Sequence, residues 1–176
     1  MTRRTRDVPD PQDHTEGEWF EIAREIVLTK LDFRAHTRAE LSEALGRRGV
    51  PEAIGAQLLD RFEELGLVDD AEFARRWVQS RHGARGLSRR AVALELRRKG
   101  VADDVVEVAT EVISGDDDLD AATELALAKL RAGSGVEEAR LTRRVLGALA
   151  RKGYGPETAW QAWRRAKEEL GDEASD

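Results

Sequence analysis

Three short stretches repeat one pattern: GRRGV at residues 46–50, RRKGV at 97–101 and ARKGY at 150–154. Each holds a basic pair, a glycine and then an apolar or aromatic residue. The glycines stand 51 and 53 residues apart. One local signature at a nearly fixed interval marks a repeat architecture, in which each copy is one supersecondary unit. Aligned on Gly49, Gly100 and Gly153, the flanking residues fall into register. Leu41, Val92 and Val145 precede the glycine by eight residues, and Leu45, Leu96 and Leu149 precede it by four. Those pairs lie one helical turn apart, which predicts a helix with an apolar stripe running up to each glycine. Thr37 and Ser88, each twelve residues before it, occupy the N-cap, and Glu40 completes a capping box with Thr37. The glycine is then the residue just past the helix, in a left-handed conformation. The basic pairs Arg47/Arg48, Arg98/Lys99 and Arg151/Lys152 sit at the negative end of the helix dipole.

A second helix follows each glycine. Pro51 suits its first turn in the first copy, with Ile54, Leu58, Phe62 and Leu65 as the stripe. Pro156 starts it in the third, with Ala159, Trp163, Ala166 and Leu170 inward. The middle copy, VADDVVEVATEVI, has valines that suit a strand, but register makes it a helix capped by Asp103 or Asp104. Each copy also has a helix in front. The first spans about 17–34 with Phe20, Ala23, Val27 and Leu31 on one face. The second begins at the cap Asp69, answered by Glu72, with Phe73, Trp77 and Val78 inward; the third follows Asp116–Asp118 and ends near Arg131. The prediction is an all-α chain of three tandem three-helix, helix-turn-helix-like repeats, forming an elongated, curved array. Its parts are a disordered tail at 1–16, repeats at 17–68, 69–115 and 116–171, and a short tail at 172–176.

Composition agrees with helix throughout: 40% apolar residues, 36% charged and only 5% aromatic. With no cysteine there is no disulfide or thiolate site, which fits a reducing cytoplasm. No apolar run is long enough to cross a bilayer, and the charged start MTRRTRDVPDPQDH is no signal peptide. No catalytic constellation stands out. His14, His36 and His82 have no ligand spacing, GSG at 133–135 is not followed by a phosphate-loop lysine, and Asp116–Asp118 read as a solvated cap. The four tryptophans lie on or beside the apolar stripes and read as core. The chain is therefore expected to be neither an enzyme nor a holder of metal or cofactor, and to be a monomer.

The net charge of −6 conceals a split. Residues 71–101 hold nine Arg or Lys against Glu72 and Glu95, whereas residues 102–124 hold nine Asp or Glu and no cation. Two solvated helix faces would account for this. So would one part facing a polyanion and another facing something else. Arg81 and Arg85 fall in the loop RHGARG; Arg89 and Arg90 follow the cap Ser88, where the dipole disfavours cations. With free backbone N–H groups they would make a phosphate grip. The candidates are Arg75, Arg76, Arg81, Arg85, Arg89, Arg90, Arg97, Arg98 and Lys99, with Arg47 and Arg48. No base-reading set accompanies them, so contacts would be to the nucleic-acid backbone.

The ordered set TRAELSEALGRRGV (37–50) and LGLVDDAEFARRWVQSRHGARGLSRRAVALELRRKGV (65–101) resembles the RecX family of bacterial recombination regulators. The match runs over about residues 20 to 170 and is carried by Leu65–Gly66, Asp69–Asp70, Phe73–Ala74, Arg81 to Gly86 and Glu95 to Gly100. The third repeat departs most, with no cap at the position equivalent to Thr37. The resemblance implies a modulator that lies in the groove of the RecA filament on single-stranded DNA. It would block strand exchange, ATP hydrolysis and co-protease activity, and so bear on homologous recombination, DNA repair and the SOS response. The partners implied are RecA and DNA, single-stranded and also duplex, with no membrane. The competing readings of the residues are a transcription regulator built from tandem helix-turn-helix units, and a plain interaction scaffold.

Overall fold

The structure is a computed structural model and describes residues 14–133 and 135–173. Among the described residues there are nine α-helices and no strand: α1 Glu16–Phe33, α2 Arg38–Gly46, α3 Glu52–Glu64, α4 Asp70–Val78, α5 Arg89–Arg98, α6 Asp103–Thr110, α7 Gly115–Arg131, α8 Glu138–Arg151 and α9 Pro156–Glu173. They form three sets of three, as the repeat predicts. Thr15 caps α1, which begins at Glu16, one residue before the expected start, and α9 continues to Glu173. The expected tails otherwise lie outside the described residues.

Local chemistry explains each helix. Thr15, Thr37 and Ser114 all make reciprocal capping boxes, with Glu18, Glu40 and Asp117 answering. Asp69 Oδ1 accepts the N–H of Glu72 at 2.7 Å. The glycine signature ends its helices as expected, with φ of 79° at Gly49, 78° at Gly100 and 90° at Gly153. After α2, Val50 N–H donates to Leu45 O and Gly49 N–H to Gly46 O; after α8, Tyr154 and Gly153 donate to Leu149 and Ala150. That pair of bonds is the Schellman closure, and it carries the residue after the glycine into the core. Val50, Val101 and Tyr154 are all buried.

Several details differ from the sequence reading. Pro51 is the N-cap of α3 rather than part of its first turn. Asp103 and Asp104 stand inside the first turn of α6, not before it. Leu65 lies beyond α3 and is 60% exposed, because the buried stripe ends at Phe62 and the helix at Glu64. Trp19 is core, but Trp160 is 46% exposed at the edge of its module.

The chain divides into two compact bodies. One comprises residues through Phe73 together with Arg98–Ala102; the other comprises Ala74–Arg97 and the residues from Asp103 onward. The division thus falls within the second module. The first body has an aliphatic core with aromatic ends: Trp19, Ala23 and Val27 from α1, Leu41 and Leu45 from α2, and Leu58, Leu59 and Phe62 from α3. In the second body, Ala122 and Ala126 of α7 join Ala162 and Ala166 of α9, all fully buried, in one cluster with Val145 and Leu149 of α8. Small side chains allow those helices a close approach.

Candidate nucleic-acid interface

The signature glycines do more than end helices. Within the first body, Gly100 packs onto the start of α2: a Cβ there would lie 2.3 Å from Ala39 Cβ. The buried Thr37 hydroxyl donates to Lys99 O at 2.6 Å while also capping Glu40 N–H. Arg38 N–H donates to Asp70 Oδ1 at 2.8 Å. Within the second body the device recurs. A Cβ on Gly153 would lie 2.6 Å from Ala91 Cβ and 2.7 Å from Ser88 Oγ, at the start of α5. Ser88 N–H donates to Lys152 O at 3.0 Å, Ser88 Oγ accepts Ala91 N–H, and Arg89 N–H donates to Asp118 Oδ1 at 2.9 Å. Each junction therefore joins a middle helix's first turn to the next repeat's glycine. An aspartate from the next repeat's front helix satisfies the first N–H.

The charges at the two junctions differ. At the first, Glu40 gathers Lys99 Nζ at 2.7 Å, Arg34 at 3.1 Å and His36 Nδ1 at 3.2 Å. Burial pushes the Glu40 carboxyl up, but the hydrogen bonds and charges of Arg34 and Lys99 overcome it and hold it at about 2. Burial, then Arg34, push His36 below its ordinary value. Lys99 Nζ also lies 5.6 Å from the centre of the Phe73 ring. Arg38 reaches Asp60 Oδ1 at 2.6 Å and pairs with Glu63. At the second junction no acid takes the place of Glu40. Lys152 Nζ donates to the carbonyl of Arg85 at 2.6 Å, and the Arg89 side chain reaches only Ile113 O at 3.4 Å. The Tyr154 hydroxyl donates to Gly86 O, its pKa pushed up to about 12 by burial and then by the charges of Asp118 and Glu124.

Three models of RecX domains match in order: the first three-helix domain at residues 23–62, the second at 69–109 and the third at 116–163. The regulatory protein RecX of Streptomyces coelicolor is 44% identical over 153 residues, covering 87% of this chain and 81% of its own. The regulatory protein RecX of Thermobifida fusca is 42% identical over 165 residues, covering 94% and 88%. The chain belongs to the RecX family. The crystal structure of RecX from Lactobacillus salivarius shares the fold, with a TM-score of 0.75 at 16% identity over 86% of this chain and 98% of that one. A second RecX crystal structure has a TM-score of 0.69 at 20% identity, covering 81% and 70%.

The sequence-derived cations of this RecX-family chain sort into two groups. Arg81 is not in a loop. It lies on a π-helical segment, Gln79–Gly83, that continues α4. Its guanidinium stacks 4.1 Å from the Trp77 ring centre, with Nε 3.0 Å from Glu95 Oε2 but off the line of a hydrogen bond. Arg97 pairs with Asp103, Arg47 with Glu43 and Lys99 with Glu40. At the start of α5 the N–H groups of Arg89 and Ala91 are taken by Asp118 and Ser88, so those two are not free for phosphate as expected. Arg75 and Arg76 are exposed on α4. Arg48, Arg85, Arg90 and Arg98 are exposed and have no carboxylate partner among the described residues. Sequence reading missed Arg140, Arg144 and Arg151, exposed on α8 and likewise without a carboxylate. Their spacing along α8, off its Val145 and Leu149 stripe, was the available signal. It also missed that Lys152 meets Arg85, 67 residues away.

Proposed function

We propose that this chain is a non-enzymatic modulator of the RecA recombinase, one that binds the RecA filament on single-stranded DNA and lowers strand exchange, ATP hydrolysis and co-protease activity. The run of three RecX domains in order along the chain carries the reading. Three modules of about fifty residues suit the repeating surface of a helical polymer. The cations left without carboxylates, Arg48, Arg85, Arg90 and Arg98, meet phosphates; Arg47, Arg81 and Arg97 are paired within their own modules, and Lys99 pairs with Glu40 of the repeat before it. In this reading the chain works as a cytoplasmic monomer in the control of homologous recombination, DNA repair and the SOS response.

ATP turnover by RecA on single-stranded DNA tests this. The chain should suppress turnover at stoichiometric or lower dose. Unchanged turnover, together with tight sequence-selective binding to duplex DNA, would establish the transcription-regulator reading instead.

A further inference from the structure

We propose that helix α8 is a rail for the sugar–phosphate backbone of a nucleic acid, held by Arg140, Arg144 and Arg151 and approached most closely at Gly147. The choice of nucleic acid as the polyanion rests on the reading above; the rail itself rests on α8. At 3.6 residues per turn, positions 140, 144, 147 and 151 fall within about 60° of one another around the helix. They lie away from the buried Val145 and Leu149.

The three arginines are exposed, and no carboxylate pairs with any of them among the described residues. Acids are not scarce in this module. Asp120 takes Arg165 at 2.7 Å, and Glu138 takes Lys167. Arg140 and Arg144 stand one turn apart, where like charges repel. Arg140 also lies in the first turn of α8, where the helix dipole disfavours a cation. The Glu137 carboxylate, which accepts the Arg140 N–H at 3.2 Å, offsets the dipole there, but among the described residues no carboxylate meets the guanidinium groups of Arg140 and Arg144, whereas a bound polyanion would.

Gly147 is the second, independent observation. A glycine inside a helix is less stable than alanine. Space does not require it here, because a Cβ would meet only Arg151 Nη1 at 3.5 Å, an ordinary contact. Bare backbone in the middle of an arginine row admits a phosphate chain at close range. From Arg140 to Arg151 the row rises about 16 Å, the reach of several successive phosphates. It ends beside Lys152, which meets Arg85, so the rail runs on into the basic second junction.

Fluorescence polarisation of a labelled oligothymidylate in a salt series, without recombinase, tests the proposal. The variant Arg140→Gln/Arg144→Gln/Arg151→Gln should bind at least tenfold more weakly. Its plot of log affinity against log salt should be shallower by about 2, since each phosphate neutralised on a single strand adds about 0.7 to the slope. Gly147→Ala should melt higher yet bind several-fold more weakly, a combination that a merely structural glycine does not give. A triple variant with parent melting temperature, affinity and slope overturns the proposal. So does a parent chain that binds poly-glutamate but not the oligonucleotide. A Gly147→Ala chain with parent affinity overturns the close approach at that residue. A parent chain that inhibits RecA yet does not bind the oligonucleotide defeats the rail and leaves the recombinase reading standing.

Discussion

The two junctions are the same backbone device under opposite electrostatic treatment. In both, a signature glycine presses on a helix start, a lysine carbonyl is bound by the cap residue, and an aspartate takes the first N–H. At the first, carboxylates answer the cations: Glu40 takes Lys99, and Asp60 and Glu63 take Arg38. At the second, the position of Glu40 is Ala91, Arg90 is exposed, and Lys152 and Arg89 reach only carbonyls with their side chains. The lesson is that a recurring basic motif has no fixed role. Where acids stand opposite, it fastens modules. Where they are withheld, its side chains meet backbone carbonyls instead, and the function proposed above assigns the remaining charge to phosphates.

The largest expected effects are on what the junctions share. Gly100→Ala and Gly153→Ala should each destabilise by about 2–4 kcal/mol, since an alanine in a left-handed position costs about 1 kcal/mol and overpacking adds about 1–3. Gly66→Ala is the control: φ is +68° but nothing lies within 4 Å of its Cβ position. It should lose only the backbone part, about 1 kcal/mol by urea denaturation. Equal losses at all three glycines would mean that packing at the junctions carries no weight.

The caps separate the junctions next. Thr37→Ala removes both a cap and the hydroxyl bond to Lys99 O, so a loss of about 2 kcal/mol is expected. Ser88 holds Lys152 through its backbone N–H, which alanine keeps, so Ser88→Ala should lose about 1 kcal/mol. A reversed order in thermal melts would break the comparison.

A smaller effect isolates Glu40. Its folded pKa of about 2 lies below its ordinary 4.5. Such a group contributes stability that is full above about 4.5 and lost as pH falls toward 2. Glu40→Gln should therefore melt below the parent at neutral pH by about 1 kcal/mol, reduced for partial solvent exposure. The gap should close between pH 4.5 and 2. A gap independent of pH would mean that packing, not charge, makes the first junction.

Much of the fold was legible because repeats repeat. Three glycines in register fixed three helix ends, and Thr37 with Glu40 announced its capping box in the sequence itself. The charge assignment was less legible, because it depends on what lies opposite. Nothing local to Lys99 names Glu40, 59 residues back, as its partner. Nothing local to Arg89 says that Asp118 will occupy its N–H. Local net charge picks out dense segments, whereas Arg140, Arg144 and Arg151 are spread thinly along the chain and gather only on a helix face.

The most direct test sets two double variants side by side for melting temperature and for the salt dependence of single-stranded DNA binding. Arg38→Gln/Lys99→Gln should melt lower and keep the parent salt slope. Arg90→Gln/Lys152→Gln should melt near the parent and lose about 1 from the slope. If the first pair flattens the slope and the second leaves it intact, the division of roles between the two junctions is wrong.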